Sequence, residues 1–147
     1  MGTKAYLAAA TVAFLAATSR ADITAKTSIS GEPFMAALRE HYYWAGVQFV
    51  GTMLLLAPFL AVAMTCGFTE RRARSRWVIA IFLVSMLVLL YFYFEGYQAA
   101  ERAMLQKMWT AATLSVGLLP FFIGIPVVLA AIGAGALAAK LDPRESA

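Results

Sequence analysis

Two stripes of polar side chains are the residues of this chain whose types and spacing could support chemistry. One stripe has steps of seven and four residues, and the other has steps of four, three and four, so each lies on one face of a helix. The stripes are His41, Gln48 and Thr52, and Tyr91, Glu95, Gln98 and Arg102. An acid near the hydrocarbon boundary of a membrane is costly unless it is paired. Glu95 is therefore a functional candidate, with His41 or Gln48 as its expected neighbour.

Proton transfer is the chemistry that these stripes could carry, because histidine changes its charge near neutral pH. Metal binding is not expected, since His41 is the single histidine and no acid is spaced with it in a ligand motif. The sequence shows no nucleophile-and-base pattern and no phosphate-binding glycine loop. The simpler interpretation is that the stripes hold helices together, with Glu95 in interfacial water or paired with Arg102. The sequence therefore favours a protein without catalytic residues, metal or cofactor, although an enzyme is not excluded.

Composition places these residues in a membrane protein. Of the 147 residues, 62% are hydrophobic and 14% are charged, and the mean hydropathy is +0.74. Soluble domains are about half apolar and about a quarter charged. The net charge of +4 does not indicate a nucleic-acid partner, because the basic residues collect beside apolar segments. The prediction is one all-α domain over residues 1–147, an integral membrane bundle of four helices, or of three if the first segment is removed.

Three long apolar stretches predict membrane spans, because about 20 apolar residues cross the hydrocarbon. They cover residues 44–66, 77–97 and about 118–139. A kink or break is expected in the last of them, at Pro120, Gly124 and Pro126. Small residues recur there at every fourth position and predict close helix packing, within the chain or against a partner. The two ladders are Ala131, Gly135 and Ala139, and Ala130, Ala134 and Ala138.

The first apolar segment, residues 5–21, has two interpretations. It is short and rich in alanine, follows Lys4, and ends in Ser19-Arg20-Ala21, which is typical of a cleaved signal peptide. The alternative is an uncleaved first helix that reaches from Lys4 to about Thr24. The sequence leaves both open.

The arginine loop, residues 69–76, predicts the orientation, because short loops rich in Lys and Arg stay in the cytoplasm. With this loop inside, the inner segments carry seven basic and three acidic residues, a net of +4, and the outer segments are neutral. An uncleaved chain then has both ends in the cytoplasm, and the polar stretch 140–147 is expected to be a frayed end. The loop could also hold anionic lipid headgroups. Its basic residues are Arg71, Arg72, Arg74 and Arg76.

The leading functional hypothesis is a non-catalytic accessory or structural subunit of a larger protein complex in the bacterial cytoplasmic membrane. Its expected contact surfaces are the last helix and an outward-facing helical collar, residues 30–44 and 94–108. The expected partners are the lipid bilayer and other membrane subunits, or further copies of the chain. One alternative is a small oligomeric transporter or channel that uses Glu95 and His41. A second is a membrane enzyme of unknown substrate.

Overall fold

The computed structural model describes residues 2–145, and every regular element among them is helical, which confirms the all-α prediction. A π-helical turn, Pro120–Gly124, joins the last two helices. The α-helices in chain order are α1 (Thr3–Ser28), α2 (Phe34–Val47), α3 (Phe49–Thr69), α4 (Ser75–Leu105), α5 (Trp109–Gly117) and α6 (Ile125–Leu141).

Within residues 2–145, three helical segments are long and apolar enough to cross a membrane: Phe49–Thr69, Ser75–Leu105 and Trp109–Leu141. They are compatible with an integral membrane protein. The stretch 44–66, predicted as one span, is divided at Gln48, where α2 ends and α3 begins. The Thr52 hydroxyl donates to the carbonyl oxygen of Ala45 at 3.0 Å, and such side-chain bonds to the backbone compete with regular helix.

Helix α1 forms one wall of the apolar core, against α3 and α4. Its buried positions recur every three or four residues, which is the helical period. They are Tyr6, Ala10, Phe14, Thr18, Ala21 and Ala25. The Phe14 ring packs edge-on against Phe59 at 5.4 Å between centroids, and Phe59 packs against Tyr93 at 5.1 Å. These rings join the three helices, and α1 extends beyond residue 21 to Ser28.

Two glycines of the later helices lie at close contacts with neighbouring segments. A Cβ atom added at Gly135 of α6 would lie 2.7 Å from Thr69 Oγ1 of α3. One added at Gly96 of α4 would lie 2.8 Å from a methyl carbon of Leu119. Only glycine, which has a hydrogen atom in place of a side chain, fits at these two positions without a shift of its neighbours. The glycines therefore allow the backbones to approach closely.

The C-terminal tail, residues 142–145, is bound to the arginine loop, so the expectation of a frayed end is wrong for these residues. Ala73 forms an isolated antiparallel bridge with Pro143, and the Arg144 amide donates to the Arg72 carbonyl oxygen at 2.9 Å. The carboxylate of Asp142 accepts from Arg76 at 2.8 Å. This contact is between residues 66 positions apart, which charge counting along the sequence does not detect. Residues 146–147 lie outside the described part.

The start of α1 lies at this same end of the bundle. Thr3 packs against Gly67, two residues before α3 ends. The beginning of α1, the arginine loop and the tail therefore form one end, the loop end. The junctions α1–α2 and α4–α5 form the opposite end, the far end.

Candidate functional site

Charged and polar side chains from α1, α2, α4 and the α1–α2 connection meet at the far end in a group that we call the polar cluster. Helix α1 contributes Ser19, Asp22 and Lys26, whose spacing of three and four residues puts them on one face. That face extends past the predicted end of the first segment at residue 21. The other members are Ser30, Glu32, Glu40, His41, Tyr42, Gln98 and Glu101.

His41 is the centre of the cluster and is 8% exposed. Its Nδ1 donates to Asp22 Oδ2 at 2.7 Å, because an ionised carboxylate only accepts. On the other side of the ring, Nε2 lies 3.3 Å from the hydroxyl of Ser19. That hydroxyl also lies 3.2 Å from the phenol oxygen of Tyr42. The imidazole therefore links α1 to α2 through both of its nitrogens.

Lys26 adds a second link between these helices. Its ammonium group lies 3.4 Å from Asp22 Oδ2 and 3.5 Å from Glu40 Oε2, and its side chain is only 11% exposed. A buried ammonium needs such partners, since removing it from water costs several kcal/mol. Asp22 is thus shared between the imidazole and the ammonium.

Helix α4 closes the cluster from the opposite side. The Ser30 hydroxyl donates to Glu101 Oε1 at 2.5 Å, and Glu101 is 8% exposed. Burial raises the pKa of Glu32, and the neighbouring carboxylate of Glu40 raises it further. Two buried polar atoms, Glu32 Oε2 and Gln98 Nε2, have no hydrogen-bond partner within residues 2–145. Buried polar atoms without a partner are costly, so these two atoms reduce the stabilisation that the cluster provides.

The order Ser19, His41, Asp22 is that of a nucleophile, a general base and an orienting acid. The sequence did not indicate this arrangement. However, Ser19 lies inside α1, where each backbone N–H bonds to the carbonyl four residues earlier. Such N–H groups are not free to stabilise a developing oxyanion. The geometry therefore fits a clamp between helices better than a hydrolytic site.

The structure separates the two polar stripes of the sequence. His41 is in the cluster, whereas Gln48 is exposed at the α2–α3 junction, and Thr52 bonds to the backbone of its own chain segment. Of the second stripe, Gln98 is buried, whereas three members lie exposed on the surface of α4: Tyr91, Glu95 and Arg102. No hydrogen bond or ion pair within residues 2–145 joins His41 or Gln48 to Glu95.

The two small-residue ladders differ in burial. Ala131 and Gly135 are buried against the rest of the chain, with Gly135 at Thr69 of α3, and Ala139 is half-buried beside them. Ala130 and Ala134 are exposed and line, together with Ala131, an open groove of about 530 Å³ between α4 and α6, whereas Ala138 is half-buried against the core. The expected break is the site of the π-helical turn, with Pro120 and Gly124 buried and Pro126 exposed at the α4–α6 groove.

The arginines of the loop also divide into two pairs. Arg74 lies 3.1 Å from Asp142 Oδ1, and Arg76 lies 2.8 Å from Asp142 Oδ2. Arg71 and Arg72 instead line a second groove, of about 500 Å³, between α3 and α6.

The chain matches no known protein family, no curated protein and no solved structure. Its class therefore follows from the fold: an all-helical protein with three helices apolar enough to span a membrane.

Proposed function

We propose that this chain is a non-catalytic accessory or structural subunit of a larger complex in the bacterial cytoplasmic membrane. The observation that carries the proposal is the incomplete burial of its last apolar segment. In the most apolar stretch of Trp109–Leu141, 22% of the residues are buried inside the protein. The corresponding share is 33% in both Phe49–Thr69 and Ser75–Leu105. A segment with so few neighbours in its own chain leaves an apolar face for a second protein.

The α4–α6 groove is the proposed contact for a transmembrane helix of the partner. No charged residue lines it, and Ala130 and Ala134 on one wall allow the backbone of another helix to come close. The opposite wall carries Ser85, a polar group that can bond across a helix pair. Helices associate in lipid by such packing and hydrogen bonds, since lipid is as apolar as their side chains.

The proposed orientation has the arginine loop in the cytoplasm and the polar cluster outside. It is supported by the charge distribution, because basic loops are retained inside. The collar of α2 and the end of α4 then faces outward and is a second contact surface. In this orientation α1 is retained, since its removal would expose the rings of Phe59 and Phe82, against which Phe14 and Tyr6 of α1 pack.

The test is to compare the mass of the gently solubilised complex for the wild type and two variants of α6. Ala134→Leu fills the groove, and we expect it to release the partner. Gly133→Leu is the matched control, because no described atom outside its own helix turn lies within 4 Å of a Cβ atom at Gly133. We expect the control to keep the partner. A wild-type protein that is a lone monomer, with no associated protein, would contradict the proposal.

A second candidate function is an esterase at the outer membrane surface, favoured by the Ser19–His41–Asp22 arrangement. In this mechanism His41 removes the Ser19 hydroxyl proton, the oxygen attacks an ester carbonyl, and the proton passes to the departing alcohol. A water molecule, deprotonated by His41, then cleaves the acyl–Ser19 bond, which releases the acid and returns the proton to the serine oxygen. A fluorophosphonate probe tests it, since the probe labels an activated serine. Labelling that Ser19→Ala and His41→Ala both abolish would favour the esterase, and no labelling of the wild type would exclude it. Transport through Glu95 has no such support, because Glu95 is exposed and unconnected to His41.

A further inference from the structure

The α3–α6 groove at the loop end has two exposed arginines, Arg71 and Arg72, at the rim of an apolar cavity. Among residues 2–145, neither Arg71 nor Arg72 forms an ion pair with a carboxylate, in contrast to Arg74 and Arg76. The guanidinium of Arg71 lies 5.7 Å above the ring of Phe68. The tail therefore neutralises one pair of arginines and leaves the other pair exposed at the rim of the groove.

The walls below these arginines are apolar and uncrowded. Phe68 stands on the α3 side and Ile132 on the α6 side, and both are exposed. Gly135 and Ala136 occupy α6 between them, so small side chains keep the groove open at about 500 Å³. The threonines of α3 keep their hydroxyls bonded to their own helix, as Thr69 does to the Thr65 carbonyl. The protons of these hydroxyl groups are therefore already used within α3 and are not available to a ligand in the groove.

We propose that this groove binds one anionic phospholipid, with its phosphate at Arg71 and Arg72 and an acyl chain between Phe68 and Ile132. Arginine suits phosphate because its planar guanidinium donates two parallel hydrogen bonds. A ligand with a phosphate directly beside a long apolar chain is an amphiphile, and the membrane supplies it. The α4–α6 groove has no charged residue and offers no site for a headgroup.

Native mass spectrometry of the full-length protein in detergent tests the proposal. The probes are phosphatidylglycerol and phosphatidylcholine with identical acyl chains. We expect the wild type to prefer phosphatidylglycerol. The double variant Arg71→Gln/Arg72→Gln should lose about 10-fold to 30-fold in affinity for it, since each cation near a surface contributes about 1 kcal/mol. The control Arg39→Gln/Lys107→Gln removes the same charge at the far end and should bind like the wild type.

Two further variants separate charge from space. Arg71→Lys/Arg72→Lys keeps the charge and should retain the preference for the anionic lipid, although the affinity falls. Ala136→Leu fills the groove and should weaken binding of the lipid while both arginines remain. An unchanged preference in Arg71→Gln/Arg72→Gln would overturn the proposal. Displacement of the lipid by glycerol phosphate at equal concentration would overturn it too, because the ligand would then be a free phosphate. A wild-type dimer that excludes lipid would assign the groove to a second copy.

Discussion

Two glycines on α6, only two residues apart, test the packing of α6 against α3. A methyl group at Gly135 would lie 2.7 Å from Thr69 Oγ1 and 3.1 Å from Thr69 Cγ2. Unstrained carbon contacts begin at about 3.5 Å. Thr69 cannot turn away without loss, because its hydroxyl donates to the Thr65 carbonyl at 2.7 Å. At Gly133 no other part of the described chain lies within 4 Å of the added carbon, so the same substitution causes no clash there.

Gly133→Ala and Gly135→Ala increase helix propensity equally, and only Gly135→Ala adds a clash with Thr69. Replacing a glycine by alanine inside a helix gains about 0.5–1 kcal/mol. Overpacking costs about 1–3 kcal/mol. Gly133→Ala should therefore raise the free energy of unfolding by up to about 1 kcal/mol. Gly135→Ala should lower it by about 0.5–2 kcal/mol, and the difference between the variants isolates the clash at about 1–3 kcal/mol.

The assay is reversible unfolding of the purified protein in mixed micelles, followed by helical circular dichroism. Each variant is compared with the wild type at the same detergent composition. Equal changes for Gly133→Ala and Gly135→Ala would refute the reasoning, because α3 and α6 would then not cross at Gly135.

Three further substitutions, the first with a control, test other parts of the structure. Phe59→Ala removes two ring pairs worth about 0.5–1.5 kcal/mol each and should lower the free energy of unfolding by at least about 1 kcal/mol. The control Phe121→Ala, at an exposed ring, should change the free energy of unfolding by less than about 0.5 kcal/mol. Equal losses for Phe59→Ala and Phe121→Ala would contradict the packing of α1 against Phe59. Hydrogen bonds from Arg76, which has the larger effect, and from Trp77 lower the pKa of Asp142. Asp142 therefore contributes fully to tail binding when the pH is above the ordinary carboxyl pKa. This contribution is lost as the pH falls through the lowered pKa of Asp142. Asp142→Asn should speed hydrogen exchange at the Arg144 amide and remove this pH dependence, whereas unchanged exchange would show that the tail is held otherwise. Burial raises the pKa of Glu32, so its contribution to stability is present below the ordinary carboxyl pKa and lost as the pH rises through the raised one. Glu32→Gln should then melt at a higher temperature than the wild type at neutral pH, and a lower melting temperature would contradict the burial of this group.

Composition and segment length predicted the helical class and the three apolar helices, because these depend on the sum of many residues. The junction at Gln48 could not be predicted in this way, since it depends on one residue with unusual backbone angles, φ −101° and ψ 48°. The binding of the tail depends on pairs such as Arg76 and Asp142, which only the fold brings together.

Of the polar cluster, the sequence had indicated His41 and Gln98, and without their partners. The partner of His41 on α1, Asp22, was missed because one interpretation ended the first segment at residue 21, and the other, a helix to about Thr24, gave Asp22 no contact. The spacing of Ser19, Asp22 and Lys26 was the available signal, and it continues the face that Phe14 and Thr18 begin. The stripe around Glu95 has helical spacing too, yet most of it faces outward. Periodicity identifies a shared face and does not tell which face is buried.

Single cysteines at the two ends of the bundle test most directly whether the apolar helices span a membrane with the arginine loop inside. The native Cys66 is 1% exposed, so the wild type should give no background with a membrane-impermeant maleimide. We expect Lys107→Cys, at the far end, to be labelled in intact cells. Lys140→Cys, at the loop end, should be labelled only after the membrane is opened. Labelling of Lys140→Cys in intact cells would contradict the proposed orientation, and protein that stays dissolved without detergent would contradict the membrane assignment itself.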